Sequence, residues 1–391
     1  MIALAETQGL IVPPMLETLK TRLRAAGWKD FDSEKLRPYF RFYRQIYEPE
    51  KQWEALQLPA DEFSAAVRAE IFDKEEYRTT EYALELGEPV VVEPLRGMLV
   101  ARGNQIIKSL LAIHRGVSIP PPYRWQYRKA LQKKRRIDRA VLLRHPYIEG
   151  NYFHFFNDWI ALFLLLKQFP EYADWPLLVS RSLFETAYFQ GLRKRAGWQE
   201  TPWLVQAKDE AIEVERLIVL KGLGLTPEWI RQIWELFRVP EADPAKNRRI
   251  FLTRAPGLRR GLSNREEVTK VCVDRGFEPV DAARLTLDEQ IQLFSEARFV
   301  VAEHGAGSTN VLFRRGQPCT LLELFPPNHV STCYYLICHH MGHANRWLRG
   351  VATGEGDTYS IPGKMLGEAL DAAMSEPAVA GTKGPGSTLG L

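Results

Sequence analysis

Short apolar runs alternate with longer amphipathic segments over most of this chain. The first series of predicted strands and helices occupies 89–92, 140–143, 152–169, 177–179, 182–196 and 217–220. Strands that alternate with helices are typical of a parallel sheet with crossover connections. We therefore predict an α/β domain over residues 89–240.

The same alternation begins again after a polar, proline-bearing stretch at 239–247, which is typical of a linker. The second series of predicted strands and helices occupies 249–254, 264–275, 277–280, 286–296, 298–303, 307–314 and 319–324. We predict a second α/β domain over 245–375. Two such domains joined by one linker imply a cleft between them.

The two ends of the chain lack this alternation. Residues 1–88 place charged and apolar residues at helical spacing, for example at Tyr43, Ile46 and Tyr47, and show few strand signals. We predict a helical N-terminal extension there. Residues 376–391 are rich in Gly, Ser, Thr, Ala and Pro, which predicts a flexible tail.

A glycine-rich segment follows the predicted strand at 298–303. It is typical of a tight turn that opens a helix, and its residues are His304, Gly305, Ala306, Gly307, Ser308 and Thr309. Glycine allows a ligand to approach the backbone closely, and the first turn of a helix offers unpaired N–H groups to an anion. We predict a phosphate-binding turn here, with an ordinary strand-to-helix loop as the alternative.

Charged residues also mark two other predicted strands of the second domain. Arg254 ends one strand and is followed by Arg259 and Arg260; an arginine fork matches phosphate oxygens and keeps its charge. Glu323 interrupts an apolar strand, where a buried carboxylate needs a partner such as a pair of ribose hydroxyls or an arginine. Ligands of open parallel sheets lie beyond the carboxyl ends of the strands, so these residues and the glycine-rich turn predict one site.

The first domain contributes a polar pair at the start of its predicted helix 152–169. His154 and Asp158 are four residues apart and share one helix face. Either side chain could take a proton from an attacking hydroxyl, and the pairing would tune the imidazole. Asn151 directly precedes the helix and is suited to cap it.

Composition narrows the class of protein. The net charge is only +4 and no nucleic-acid-binding motif accompanies it, so we expect no nucleic-acid partner. His339, His340 and His343 lie near Cys338 without a matching carboxylate or a metalloprotease spacing, so we expect no metal site. The four cysteines lack CxxC spacing and are expected to be reduced.

We expect a soluble, cytoplasmic protein. The first residues lack the features of a secretory leader, and the longest apolar run, 159–166, is too short to span a bilayer. The basic stretch 123–139 is interpreted as a solvated helix face. The alternative is contact with an anionic acceptor or with the inner face of a membrane.

Four motifs, in this order, resemble glycosyltransferase family 61, whose bacterial members are described as capsular or exopolysaccharide biosynthesis proteins. The motifs are Asn151-Tyr152-x-His154-Phe155-x-x-Asp158, Leu252-Thr253-Arg254 with Arg259, Arg260 and Asn264 after it, Glu303-His304-Gly305-Ala306-Gly307-x-Thr309-Asn310-x-Leu312-Phe313, and Glu323-Leu324-Phe325-Pro326. The similarity extends over residues 140–350.

The resemblance implies a GT-B architecture, in which two Rossmann-like domains face each other across a cleft. It implies inverting transfer from a nucleotide-sugar, for which we expect UDP, to a hydroxyl of a glycan or lipid-linked acceptor, with no metal or cofactor required. The donor diphosphate would lie at Arg254 and 304–309, and the nucleoside would lie at Glu323.

The same resemblance assigns the acceptor side to Asn151, Tyr152, His154 and Asp158. Asp158 is our first choice for the base, supported by His154. The alternative function is a module that binds a nucleotide or glycan without catalysis. An oxidoreductase is disfavoured because no Gly-x-Gly-x-x-Gly segment follows a predicted strand. The oligomeric state is left open, with a homo-oligomer among the alternatives.

Overall fold

A computed structural model describes residues 22–31, 43–47, 50–53, 77–107, 121–144, 149–255, 260–329, 331–353 and 358–375. Within these residues the strands are β1 (Lys29–Phe31), β2 (Tyr43–Tyr47), β3 (Glu50–Trp53), β4 (Tyr77–Thr80), β5 (Tyr82–Leu86), β6 (Val90–Val92), β7 (Leu99–Ala101), β8 (Gln105–Ile107), β9 (Arg135–Leu142), β10 (Leu177–Ser180), β11 (Trp203–Gln206), β12 (Ile212–Lys221), β13 (Arg248–Leu252), β14 (Glu278–Val280), β15 (Ala297–Glu303), β16 (Thr320–Phe325), β17 (Ala344–Arg349), β18 (Val351–Ala352) and β19 (Tyr359–Ser360).

The helices of the same residues are α1 (Arg124–Leu131), α2 (152–166), α3 (Arg181–Phe184), α4 (Ala187–Ala196), α5 (Pro227–Leu236), α6 (Arg265–Val273), α7 (Leu287–Ser295), α8 (Cys333–Met341) and α9 (Gly363–Ser375). Helix α2 is continuous and consists of Tyr152–His154, a π-helical turn at Phe155–Trp159, and Ile160–Leu166. Short 3₁₀ helices lie at Pro170–Tyr172, Ala282–Arg284 and Ala306–Phe313.

The first sheet combines a parallel centre with an antiparallel flank. Strand β9 lies between β12 and β10 and is parallel to both, and β10 is parallel to β11. On its other side β12 pairs antiparallel with β6 near Ile212 and with β5 near Leu217. Strands β7, β8 and β1 continue the sheet beyond β6, and β2 pairs with β5.

The second sheet is entirely parallel and has the order β14-β13-β15-β16-β17. In chain order this is 2-1-3-4-5, the arrangement of a doubly wound fold. The strand order reverses between β13 and β15, and a ligand site is expected beyond the carboxyl ends of strands at such a point. Arg254 follows β13 there, and His304 follows β15.

The N-terminal region departs from its predicted helical character. Tyr43, Ile46 and Tyr47, whose spacing suggested a helix, lie in β2, and β5 pairs with β12 of the first sheet. The helical prediction is therefore wrong for these residues, because a short segment with apolar positions three and four apart does not separate helix from strand. Part of the remainder of 1–88 lies outside the described residues. The predicted tail 376–391 lies outside them entirely.

Three further predicted segments differ from the structure. The predicted helix 182–196 is two helices, because the Thr186 hydroxyl accepts a hydrogen bond from Phe189 N (3.3 Å) and starts α4 anew. The predicted helix 307–314 is a 3₁₀ helix. The basic stretch 123–139 is α1 followed by the first half of β9, so only part of it is helical.

Helix α2 lies in a hydrophobic core that the two sheets share. All residues of its Ile160–Leu166 segment are buried, as expected for a helix that is apolar on every side. The same core contains Val141 and Ile218 of the first sheet and Ile250 of the second. Among the described helices, including α2, none has the length and apolarity to cross a membrane.

His343 joins the start of β16 to the 3₁₀ helix Ala306–Phe313. Its Nδ1 accepts a hydrogen bond from Cys319 N (3.3 Å), and its Nε2 donates to Val311 O (3.3 Å). This arrangement requires a neutral imidazole, and burial lowers the pKa of His343 to about 4. His343, for which the sequence predicts no metal site, thus holds the 3₁₀ helix Ala306–Phe313 against the start of β16.

Acid should therefore destabilise the protein through His343. Because its folded-state pKa lies below the usual value of 6.5, the unfolded chain binds the proton more readily. The stabilisation is complete above pH 6.5 and is lost as the pH falls towards 4. We expect a loss of at most about 3 kcal/mol from this group. Urea unfolding across this range should show a weaker pH dependence for His343→Gln; equal dependence would contradict the assignment.

Candidate functional site

The glycines of the predicted phosphate turn allow close packing within the protein. Gly305 has a φ of 177°, which is extended backbone, so no left-handed conformation requires glycine there. A Cβ at Gly305 would lie 3.0 Å from Arg254 Nε, and one at Gly307 would lie 2.9 Å from Leu252 Cδ2. Arg254 thus lies across Gly305 and donates from Nη1 to His304 O (3.2 Å).

The 3₁₀ helix that follows presents only its first residues to solvent. Ala306 and Gly307 are partly exposed, whereas Ser308 and Thr309 are buried. Thr309 donates its hydroxyl to Ala306 O (2.7 Å), and Ser308 Oγ is buried with no hydrogen-bond partner among the described residues. The first N–H groups of a helix have no partner within it, so Ala306 and Gly307 retain the predicted capacity for an anion.

Glu323 is the buried partner of His304. The carboxylate of Glu323 is fully buried on β16, and His304 Nδ1 donates to Oε1 (2.8 Å). Asn345 Nδ2 donates to Oε2 (3.1 Å). Both carboxylate oxygens therefore have protein partners, and the structure gives Glu323 the position of a support for His304 and not the predicted position against a ribose.

Arg260 is hydrogen-bonded, at the same edge of the second sheet, to a histidine that the sequence prediction did not include. Arg260 Nη1 donates to His329 Nε2 (2.9 Å), and the rings of His329 and His304 lie 5.0 Å apart. His329 is on the loop after β16, so the rule that sites gather beyond carboxyl ends of strands could have found it. Arg259 lies outside the described residues.

The neighbouring arginine, Arg265, has a structural function. It donates from Nε and Nη2 to the two carboxylate oxygens of Glu303 (2.8 and 2.9 Å), and Glu303 is buried at the end of β15. This bidentate pair compensates the charge of a buried carboxylate. Among the described residues, Arg254 lies against the predicted anion position at Gly305, and Arg260 lies beside His329.

The first sheet contributes the His154–Asp158 pair. His154 Nδ1 donates to Asp158 Oδ2 (2.6 Å), and Asn157 Nδ2 donates to Asp158 Oδ1 (3.1 Å). The two side chains are 18% and 17% exposed, so solvent or a ligand reaches them. Asp158 lies within the π-helical turn at 155–159, directly after His154, and such turns are frequent at functional sites.

Asn151 and Tyr152, predicted on the acceptor side, make structural contacts. Asn151 Oδ1 accepts from Phe153 N (3.0 Å) and His154 N (3.3 Å) and so caps α2. The Tyr152 hydroxyl donates to Asn310 Oδ1 of the second domain (2.6 Å). Burial raises the pKa of Tyr152 well above its usual range, which keeps the phenol protonated and able to donate.

Ring contacts connect the two halves of the site. The Phe153 ring lies 5.3 Å from His154 and 5.5 Å from Tyr334 of α8, and Tyr334 lies 5.5 Å from His304. A chain of ring contacts thus links His154 to His304, and Arg254 lies beside His304. Tyr334 is a second member that the sequence prediction missed, since a tyrosine in an apolar helix gives no distinguishing signal.

The basic stretch 123–139 lies apart from this site and is largely ion-paired. Acidic residues oppose five of its cations, in the pairs Lys133–Asp209, Lys134–Glu213, Arg135–Glu210, Arg136–Glu213 and Arg139–Asp174. This pairing agrees with a solvated face. No cluster of three or more His, Cys, Asp or Glu in the described residues is arranged to hold a metal ion.

Comparison with protein-family models gives a match that overlaps this part of the chain. Residues 152–322 match the model of Glycosyltransferase 61. The match begins in α2 and ends in β16, and it contains both His154 and His304. It supports assignment to glycosyltransferase family 61 and a glycosyltransferase activity. A search of curated proteins gave no match.

Gly305→Ala should weaken anion binding because its Cβ displaces the Arg254 side chain. We expect the affinity for inorganic pyrophosphate to fall by about tenfold. The free energy of unfolding should change by less than about 1 kcal/mol, since the backbone at 305 is extended. Titration calorimetry and urea unfolding measure the two effects.

The control for this variant is a double-mutant cycle with Arg254→Ala. If Gly305 acts through Arg254, the alanine at 305 should have no further effect once the arginine is absent. An additional loss of pyrophosphate affinity in the double variant would show that Gly305 acts on the ligand directly.

Proposed function

We propose that this protein is an inverting glycosyltransferase that transfers a sugar from a nucleotide-sugar, with UDP as the nucleotide, to a hydroxyl of a glycan or lipid-linked acceptor in polysaccharide biosynthesis. The carrying observation is the presence of two imidazole–carboxylate pairs that are linked through the rings of Phe153 and Tyr334. His154–Asp158 lies at the start of α2, and His304–Glu323 lies at the carboxyl end of the second sheet beside Arg254. The match to glycosyltransferase family 61 supports the reaction class.

His154 is the proposed base, and Asp158 holds it. Both oxygens of Asp158 accept hydrogen bonds, one from His154 Nδ1 and one from Asn157. The carboxylate therefore fixes the imidazole tautomer that bears its lone pair on Nε2 and stabilises the imidazolium that forms. This geometry favours His154 over Asp158, the first choice from sequence, as the group that takes the acceptor proton.

The second sheet supplies positive charge for the departing diphosphate. Arg254 and Arg260 provide guanidinium groups, and the N–H groups of Ala306 and Gly307 provide backbone donors. Cations and aligned donors stabilise charge that develops on a leaving group, which is the contribution a divalent metal makes in other transferases. The proposal is accordingly a metal-independent reaction.

A GT-B arrangement is part of the proposal. Helix α2 follows the carboxyl end of β9, and the 3₁₀ helix Ala306–Phe313 follows the carboxyl end of β15. The start of α2 and this 3₁₀ helix touch through Tyr152 and Asn310. The carboxyl edges of the two sheets are thus next to each other, which supports a donor and an acceptor that meet between them.

Substitution of the base pair tests the chemistry. His154→Gln and Asp158→Asn should each lower kcat for sugar transfer by roughly 10² to 10⁴-fold, while the affinity for the nucleotide stays unchanged. Asp274→Asn is the matched control, because Lys270–Asp274 is an exposed pair with the same spacing on α6. If Asp158→Asn transferred sugar with the wild-type kcat, the base would lie elsewhere.

A donor screen tests the substrate class. Thermal unfolding should be measured with UDP-, GDP-, CMP- and dTDP-sugars, and a true donor should raise the melting temperature in proportion to its affinity. Product analysis then measures transfer and donor hydrolysis. We expect a UDP-sugar to stabilise the protein and to be consumed. Binding without transfer or hydrolysis would instead indicate the non-catalytic module.

A further inference from the structure

Glu323 is a carboxylate that the fold has removed from water completely. Its side chain has no exposed surface, and the residue lies on β16, an inner strand of the parallel second sheet. A buried carboxylate is costly unless a cation or several donors compensate it. Asn345 contributes a neutral donor, and His304, which is 5% exposed, is the ionisable donor hydrogen-bonded to Glu323.

We propose that His304, held by Glu323, is the general acid that protonates the departing diphosphate. The inference rests on the proposed glycosyl transfer. Because Nδ1 donates to Glu323, the second ring nitrogen, Nε2, is the one that exchanges a proton with a ligand. Glu323 is a positioning residue, since its hydrogen bond to Nδ1 fixes the ring.

The groups around His304 favour it over its neighbours as the proton donor. His329 accepts a hydrogen bond from Arg260 on Nε2, so that nitrogen carries no proton to give. Burial raises the pKa of Tyr334 well above its usual range, and burial raises the pKa of Cys333 to about 12. Neither of these two groups on α8 releases a proton near neutral pH.

Charge and packing also prepare His304 for an anion. Arg254 donates to the carbonyl of His304, so a diphosphate bound by Arg254 lies next to residue 304. The Phe325 ring stacks on the imidazole at 4.5 Å and shields one of its faces from water. An anion bound there would lie against an imidazole with one shielded face, where the attraction between opposite charges is screened less than in water.

The proton balance of the reaction uses both pairs. The acceptor oxygen forms a bond to the sugar anomeric carbon and gives its proton to His154 Nε2. The bond between that carbon and the β-phosphate oxygen breaks, and its electron pair goes to the oxygen. His304 Nε2 gives its proton to the same oxygen. His154 then releases a proton to water, and His304 regains one, so the enzyme returns to its starting state.

The kinetic test uses His304→Gln and Glu323→Gln with the donor that the wild-type protein consumes. Both variants should lower kcat by roughly 10² to 10⁴-fold, and they should lower UDP affinity by a much smaller factor. The alkaline limb of the kcat profile, which reports loss of the acid proton, should disappear in His304→Gln. His339→Gln, on the outer part of α8, is the matched control and should behave as wild type.

The second test reads the proton directly and does not need turnover. Histidine ¹⁵N resonances of the full-length protein are recorded at pH 7.5, and the His304 signals are identified by their loss in His304→Gln. Adding UDP, or inorganic pyrophosphate, should increase the protonated fraction of His304 in the wild type and much less in Glu323→Gln.

The outcomes separate this inference from the proposed function. If the wild-type protein consumes a donor but keeps its alkaline limb in His304→Gln, the general acid lies elsewhere and glycosyl transfer stands. If no nucleotide-sugar is consumed, the proposed function fails, and a His304 that gains a proton with UDP then marks a binding site only. A His304 whose signals ignore both UDP and pyrophosphate overturns the inference.

Discussion

The contact between the start of α2 and the 3₁₀ helix Ala306–Phe313 holds the two sheets in one arrangement. The Tyr152 hydroxyl donates to Asn310 Oδ1 (2.6 Å), and Asn310 Nδ2 donates to Gln290 Oε1 (2.9 Å). Asn310 is completely buried, so a shift of the sheets that broke these hydrogen bonds without admitting water would leave the polar atoms without partners. That loss costs about 1 to 3 kcal/mol for each atom, and the apolar contact between Phe156 and Phe313 adds to it.

This contact links stability to chemistry because the same segments carry the functional groups. The turn of α2 that presents Tyr152 to Asn310 also presents His154 and Asp158, and the helix containing Asn310 begins at the anion position. A ligand therefore meets a preformed edge, which agrees with the low reorganisation that electrostatic catalysis requires. His343 extends the arrangement by fixing Val311 to the start of β16.

The sequence predicted which residues gather at this edge of the sheet better than it predicted the hydrogen bonds between them. Runs of Val, Ile and Leu predicted β13, β15 and β16, and the strand-end rule grouped Arg254, His304 and Glu323. The pairing of His304 with Glu323 joins residues nineteen positions apart, and it follows from the sheet register, which local spacing does not encode. The prediction of a helical N-terminal extension failed at β2. In a strand this short, the spacing of apolar residues does not distinguish a helix from a strand.

Burial distinguishes the two chemically similar pairs for which we propose opposite functions. In both, an imidazole Nδ1 donates to a carboxylate, at 2.6 Å for His154 and 2.8 Å for His304. The His154 side chain is 18% exposed, so an acceptor hydroxyl can reach it, as the proposed base needs. His304 is 5% exposed and lies against a carboxylate with no exposed surface, where the attraction between opposite charges is screened least. In the proposed reaction an arriving diphosphate would add negative charge on that side, next to the imidazole that we assign as the acid.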